Sequence, residues 1–165
     1  MSTVDSLARF REAQADEHAG IGVALAELGD GEKRSHWIWY VFPQWVGLGR
    51  SPMARRYAIA SMKEAHDFIM DPALGENLAA CARALAQHCA PPGTRALDAV
   101  LGDIDAMKVL SSLTLFVAVA ARIDRPRPSW VDDFARSALA VLDEAERRGS
   151  ARCEFTLRAI AAERS

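Results

Sequence analysis

Helix punctuation narrows the folds open to this chain more than any other feature. Ser51-Pro52 and Asp71-Pro72 each set a side-chain acceptor before a proline. The acceptor satisfies an otherwise free amide, and proline at the first helical position gives up an N–H that would have no partner anyway. Thr94 and Ser129 stand as further N-caps. Gly102-Asp103 ends one segment and opens the next, and Gly29 and Gly149 follow helical runs as left-handed stops. The intervals are rich in alanine and carry apolar residues at helical spacing.

These signals predict helices over about 5–28, 32–42, 52–70, 72–89, a short one ending at Leu101, then 104–123, 129–148 and 153–163. Gly20 and Gly22 predict a bend in the first, since each weakens a helix interior by about 1 kcal/mol relative to Ala. Trp37 to Phe42 is apolar all round and suits a short buried helix or a buried strand. Helix is the preferred reading, stopping before Pro43. Inward stripes are expected at Leu74, Leu78, Cys81 and Leu85, and at Val131, Phe134, Leu139 and Leu142. The fold class is therefore all-α: a compact, single-domain orthogonal bundle of about seven to eight helices over 1–165, with a minor break at 124–129.

The chain has 165 residues, half of them hydrophobic and a quarter charged, so it can bury a core without staples. Its 20 basic and 22 acidic residues leave a net charge of −2, which removes the basic surplus a general nucleic-acid binder uses. A one-sided strip of Arg50, Arg55, Arg56, Arg122, Arg125 and Arg127 would restore that reading. Cys81, Cys89 and Cys153 are odd in number and form no C-x-x-C, so they read as small hydrophobes in a reduced compartment. The longest uncharged run, Val109 to Ala121, is too short to span a bilayer and reads as a buried core helix. With no apolar leader in Met1 to Arg11, a cytoplasmic protein is expected. No metal or cofactor is indicated, because His18, His66 and His88 have no ligand spacing.

Three segments could carry chemistry. The first is Ser35-His36-Trp37-Ile38-Trp39-Tyr40-Val41-Phe42-Pro43-Gln44-Trp45, where His36 and Gln44 interrupt an aromatic block. Polar groups drawn into a core cost a few kcal/mol unless they find partners. The second is Gly47-Leu48-Gly49-Arg50-Ser51-Pro52, two glycines before a helix start, which is the makings of an anion site although no Walker sequence is present. In the third, Asp105, Lys108 and Ser112 share one helix face, with Ser111 beside them, at the entrance to a strongly apolar run. Glu27, Glu32 and Glu64 read as solvated helix faces.

The same residues carry a likeness to a family. Ala24-Leu25-x-Glu27-Leu28, Gly31-x-Lys33-x-Ser35-His36-Trp37-x-Trp39-x-x-Phe42-Pro43-Gln44, Gly47-Leu48-Gly49-x-Ser51, Asp71-Pro72-x-Leu74-Gly75 and Asp105-x-x-Lys108-x-x-Ser111-Ser112-x-Thr114-Leu115-Phe116 resemble the bacterial and fungal domain of unknown function 1810. The likeness runs from about Phe10 to Leu157. It implies one small α-helical domain and no established activity. Where that family has Gly-x-x-Asp-x-x-Thr-Leu near its end, this chain has Gly149, Cys153 and Thr156-Leu157.

The leading functional reading is a pocket for a small anionic ligand bearing a phosphate or nucleotide. His36 would be the proton-transfer group. Lys33, Lys108, Gly47 and Gly49 would hold the anion, Gln44, Ser51, Ser111 and Ser112 would orient it, and Trp37 or Trp39 would stack on its planar part. The alternative is a non-enzymatic interaction module, with Trp45 or Trp130 on a contact surface and no concave polar site.

Overall fold

The computed structural model describes residues 5–163. Among these residues there are ten helices: α1 (Ala8–Gln14), α2 (Ile21–Asp30), α3 (Ile38–Val41), α4 (Pro52–Arg56), α5 (Met62–Met70), α6 (Pro72–Cys89), α7 (Leu97–Leu101), α8 (Asp103–Ala120), α9 (Ser129–Arg147) and α10 (Glu154–Glu163). No strand occurs among them; an isolated parallel bridge pairs Trp45 with Ile59. The all-α class holds, with more and shorter helices than expected.

Two predicted helices are broken. The first ends at Gln14 instead of bending near Gly20. Asp16 turns its Oδ1 to the amides of His18 and Ala19, each at 2.8 Å, and this local bonding competes with the helix ladder. Gln14 is itself buried, donating to the Tyr40 carbonyl at 2.8 Å and accepting from Asn77 at 2.9 Å. Gly20 then caps α2, and a Cβ there would lie 2.2 Å from the Asp16 carbonyl oxygen. The left-handed stop of α2 is Gly31, at φ +74°, not Gly29.

The predicted helix 52–70 is interrupted at 57–61. There Ile59 donates to the Gln44 carbonyl and accepts from the Val46 amide, which ties the loop after α3 to the chain between α4 and α5. Ser61 restarts the helix by accepting from the Glu64 amide at 3.0 Å. Arg9 spans this break, donating to the carbonyls of Arg56 and Ala58 and to Glu64.

The predicted caps at Ser51 and Asp71 hold: Ser51 accepts from Ala54 at 3.1 Å and Asp71 from Leu74 at 3.0 Å. Thr94 and Ser129 do not cap. The cap position of α7 is Ala96 and that of α9 is Pro128, neither with a side-chain bond. Gly102, at φ +81°, separates α7 from α8 as expected.

Helix α6 packs along α9 and also meets α2 and α5. Helix α8 lies between α9, α5, α7 and α10. Phe10, Phe68, Phe116 and Phe134 form a chain of ring contacts through the core, with neighbouring centroids 5.0–6.3 Å apart. Gly75 on α6 leaves room for the Trp130 side chain of α9, whose indole N–H donates to the Ile69 carbonyl at 2.8 Å. Val109 to Ala120 is largely buried, as the uncharged run predicts. Leu139 is a correction, 38% exposed where Ala138 and Leu142 face inward. At the end of α8, Arg127 donates to the carbonyls of Ala120 and Ile123 and pairs with Asp132 on α9. No helix among the described residues is long and apolar enough to cross a membrane.

Candidate functional site

The loop 31–37 joins α2 to α3 and is held by two charged groups from opposite directions. One is Glu27, in the last turns of α2. A buried carboxylate needs donors, and its Oε1 receives three: the amides of Arg34 and Ser35, each at 2.7 Å, and the Trp37 indole N–H at 3.1 Å. Burial pushes this carboxyl up, but the amides of Arg34 and Ser35, the Ser35 hydroxyl and the indole outweigh it, lowering its pKa to about 2. Glu27 is thus a buried anion, 5% exposed, and not a solvated face. Glu64 is likewise half-buried against Arg9, whereas Glu32 is exposed as expected.

The other group is Lys33. Its backbone amide donates to the Val100 carbonyl at 2.8 Å. Its ammonium donates to the Ser35 carbonyl, lies 5.0 Å from the Trp37 ring centroid, and pairs with Asp105 Oδ2 at 2.7 Å. The Lys33 side chain is 6% exposed, so it is a buried staple between this loop and α8.

Asp105 Oδ1 faces a second ammonium, Lys108, at 3.5 Å one turn along α8. Lys108 sits 4.9 Å from the centroid of the half-buried Trp39. Two lysines, one carboxylate and two indoles therefore form a connected cluster drawn from the aromatic block and from the Asp105/Lys108 stripe. Asp105 also lines a shallow depression of about 450 Å³ at the start of α8. The sequence places Ser112 on the same helix face, one turn past Lys108. Its hydroxyl is fully buried and has no hydrogen-bond partner. Ser111 instead donates to the Met107 carbonyl at 3.0 Å.

The remaining candidates have other work. Trp37 is fully buried with its N–H on Glu27, so it has no face for a ligand. His36 is exposed rather than drawn into the core; its ring makes no hydrogen bond or ion pair, and its carbonyl accepts from the Tyr40 hydroxyl at 3.3 Å. Ser51 spends its hydroxyl on Ala54. Gly47 takes φ +97° against the Phe155 ring, and a Cβ at Gly49 would lie 2.4 Å from that of Ala54, so chain geometry accounts for both glycines. Helix α4, which follows them, has only five residues. Gln44 takes part through its carbonyl, in the Ile59 bond. Trp45 is buried and so marks no contact surface, and the half-buried Trp130 has its indole N–H tied to Ile69. Arg125 and Arg127 are both committed to Asp132.

Sequence reading set Glu27 on a solvated helix face, although it stands only eight and ten residues before Ser35 and Trp37, the groups that bond it. It also missed the surroundings of Cys153. This half-buried residue, which directly precedes α10, accepts from the Thr156 hydroxyl at 3.2 Å. Burial opposes ionisation of its thiol, but the hydroxyls of Ser111 and Thr156 and the amides of Thr156 and Phe155 prevail, and its pKa falls below the ordinary value. Cys81 and Cys89 are buried, as their reading as small hydrophobes requires.

Comparison with known proteins adds a family and a neighbour. No curated protein matches. The conserved hypothetical protein Rv1873 from Mycobacterium tuberculosis is similar in structure, with a TM-score of 0.75 and 32% sequence identity over 94% of this chain and 96% of that one. The model of the family described as "Protein of unknown function (DUF1810)" matches residues 4–137, the span that holds Glu27, the aromatic block, the Lys33–Asp105–Lys108 cluster and Ser112, and the chain belongs to that family.

Proposed function

We propose that the protein binds a small anionic ligand, one bearing a phosphate or nucleotide, at Lys108, with Trp39 as the adjoining wall. The observation that carries this reading is the arithmetic of the cluster. Asp105 is shared by two ammonium groups, so one positive charge is left over. Lys33 donates to Asp105 and to the Ser35 carbonyl, faces the Trp37 ring and is nearly sealed from solvent. Lys108 has only one long ion pair, is 25% exposed, and retains free donors. An ammonium held against the half-buried Trp39 indole presents both the charge and the apolar surface that a phosphate ester of a planar group uses. The buried, unpartnered Ser112 hydroxyl lies one turn further along the same helix face. The reading stops at binding: nothing orients the His36 ring for proton transfer.

The test is thermal unfolding in inorganic phosphate, pyrophosphate and adenosine monophosphate, each against sodium chloride of equal ionic strength. A ligand at one hundred times its Kd adds about 2.7 kcal/mol. For a chain of this size that raises Tm by roughly 5–10 °C. Lys108→Ala should abolish the shift while changing the unliganded stability by less than about 1 kcal/mol, because a long, partly exposed ion pair contributes little. A shift that survives Lys108→Ala, or no shift with any of the three anions, overturns the reading.

A further inference from the structure

A second surface lies along the start of α8, where Ile104 and Asp103 border the depression that Asp105 also lines. Ile104 and Met107 are the two most exposed large hydrophobic residues of the described chain, at 72% and 70%. They are one turn apart on α8, so their side chains stand side by side. Beside them runs a groove of about 440 Å³ between α7, α8 and the end of α9, with Leu97, Leu110 and Ala145 among its walls. Leaving two neighbouring side chains of this size in water forfeits the burial they would gain against a partner. Methionine adds the unbranched, polarisable surface that adapts to different apolar faces.

The charges around the groove say what kind of partner fits. Asp98 and Asp103 line it, are exposed, and have neither a hydrogen bond nor an ion pair through their carboxylates. The cation on the same wall, Arg148, is already committed to Glu144 and to the Thr94 carbonyl, and Lys108, one turn past Ile104, is drawn to Asp105 and the Trp39 ring. The groove therefore offers apolar walls with unpaired negative charge at the rim. A second copy docking face to face would bring two such acidic rims together, which like-charge repulsion disfavours. We infer that this groove docks a basic amphipathic helix of a partner protein, with apolar residues at helical spacing over Ile104 and Met107 and lysine or arginine side chains reaching Asp98 and Asp103.

The probe is a fluorescent model helix of Leu and Lys, about five turns long. It is compared by anisotropy with a Leu/Glu helix of the same pattern and with a scramble of the Leu/Lys composition that has no apolar face. The Leu/Lys helix should bind, and both controls should bind at least about tenfold more weakly. The double variant Asp98→Asn/Asp103→Asn and the single variant Met107→Ser should each weaken binding about tenfold, and added salt should weaken it for the native protein more than for the double variant. All three substituted residues are exposed, and unchanged circular-dichroism melting confirms that each variant is folded. Amide chemical-shift changes should gather over residues 96–110 and 145–150. Absence of binding, equal binding of the scramble, insensitivity to the aspartate substitutions, or a native dimer lost in Met107→Ser would each overturn the inference.

Discussion

Replacing Glu27 with Gln keeps the shape of a buried side chain and removes its charge. The magnitude follows from the proton equilibrium. The carboxyl ionises at an ordinary value of 4.5 in the open chain and at about 2 in the fold. At 1.36 kcal/mol per pH unit of separation, the ionised form stabilises the native state by about 3 kcal/mol relative to the protonated form. The folded value is depressed, so this stabilisation is fully present above the unfolded value and disappears as pH falls through the folded one. Gln mimics the protonated state: it can still accept from the amides of Arg34 and Ser35, but without the charge that roughly doubles such bonds. Glu27→Gln should therefore cost about 3 kcal/mol at pH 7, and the difference from wild type should shrink steadily between pH 4.5 and 2. Urea unfolding of both proteins at pH 7, 4 and 3, followed by tryptophan emission, measures that difference. Other carboxylates titrate in both proteins and cancel. A difference that is the same at pH 3 and pH 7 would refute the view that Glu27 acts as an anion clamped by the loop amides and the Trp37 indole.

Three further outcomes are expected. Gly75→Ala should destabilise by about 2 kcal/mol or more, since the new methyl would lie 2.1 Å from the Ile69 carbonyl oxygen and 2.4 Å from Trp130 Nε1; the drop in Tm, with a change in tryptophan emission, checks it. Ser112→Ala should leave the unliganded protein as stable or about 1 kcal/mol more stable, because it removes a buried hydroxyl with no partner, and should weaken any anion-induced shift; a loss of stability would show that the hydroxyl is satisfied. Iodoacetamide should label Cys153 first in the native protein and do so below the pH at which an ordinary thiol reacts. Burial holds the Cys89 thiol up at about 11 and the Cys81 thiol higher still, so those two should react only in denaturant; peptide mass spectrometry decides the order.

What could be read without coordinates depended on the range of the interactions involved. Ser51 and Asp71 each bond an amide three residues on, so two residues and their spacing suffice to find them. The restart at Ser61 was equally local, since Ser61 and Glu64 have capping-box spacing, but the helical pattern on both sides concealed it. The break after Gln14 was harder, because it rests on partners at Tyr40 and Asn77 as well as on Asp16. At the candidate site, the pairing of Asp105 with Lys108 was legible from their spacing on one helix. That Lys33 occupies the other oxygen of Asp105 was not, nor was the placement of Trp37 in the core and His36 in solvent, one residue apart.

The sequence alone set the helical class, the caps at 51 and 71, and the membership of the aromatic block in a polar, lysine-bearing setting, because helix propensity, capping and amphipathic spacing act over a few residues. Only the tertiary structure decided which of those polar groups are consumed in holding the fold and which remain free. Glu27, Lys33 and Ser51 are satisfied by bonds that close when the chain packs. Lys108, Ser112, Asp98 and Asp103 are left with unmet capacity by the same packing. Satisfaction of a buried or half-buried polar group depends on every element that reaches it, and those elements lie up to some seventy residues apart in the chain, as Lys33 and Asp105 do.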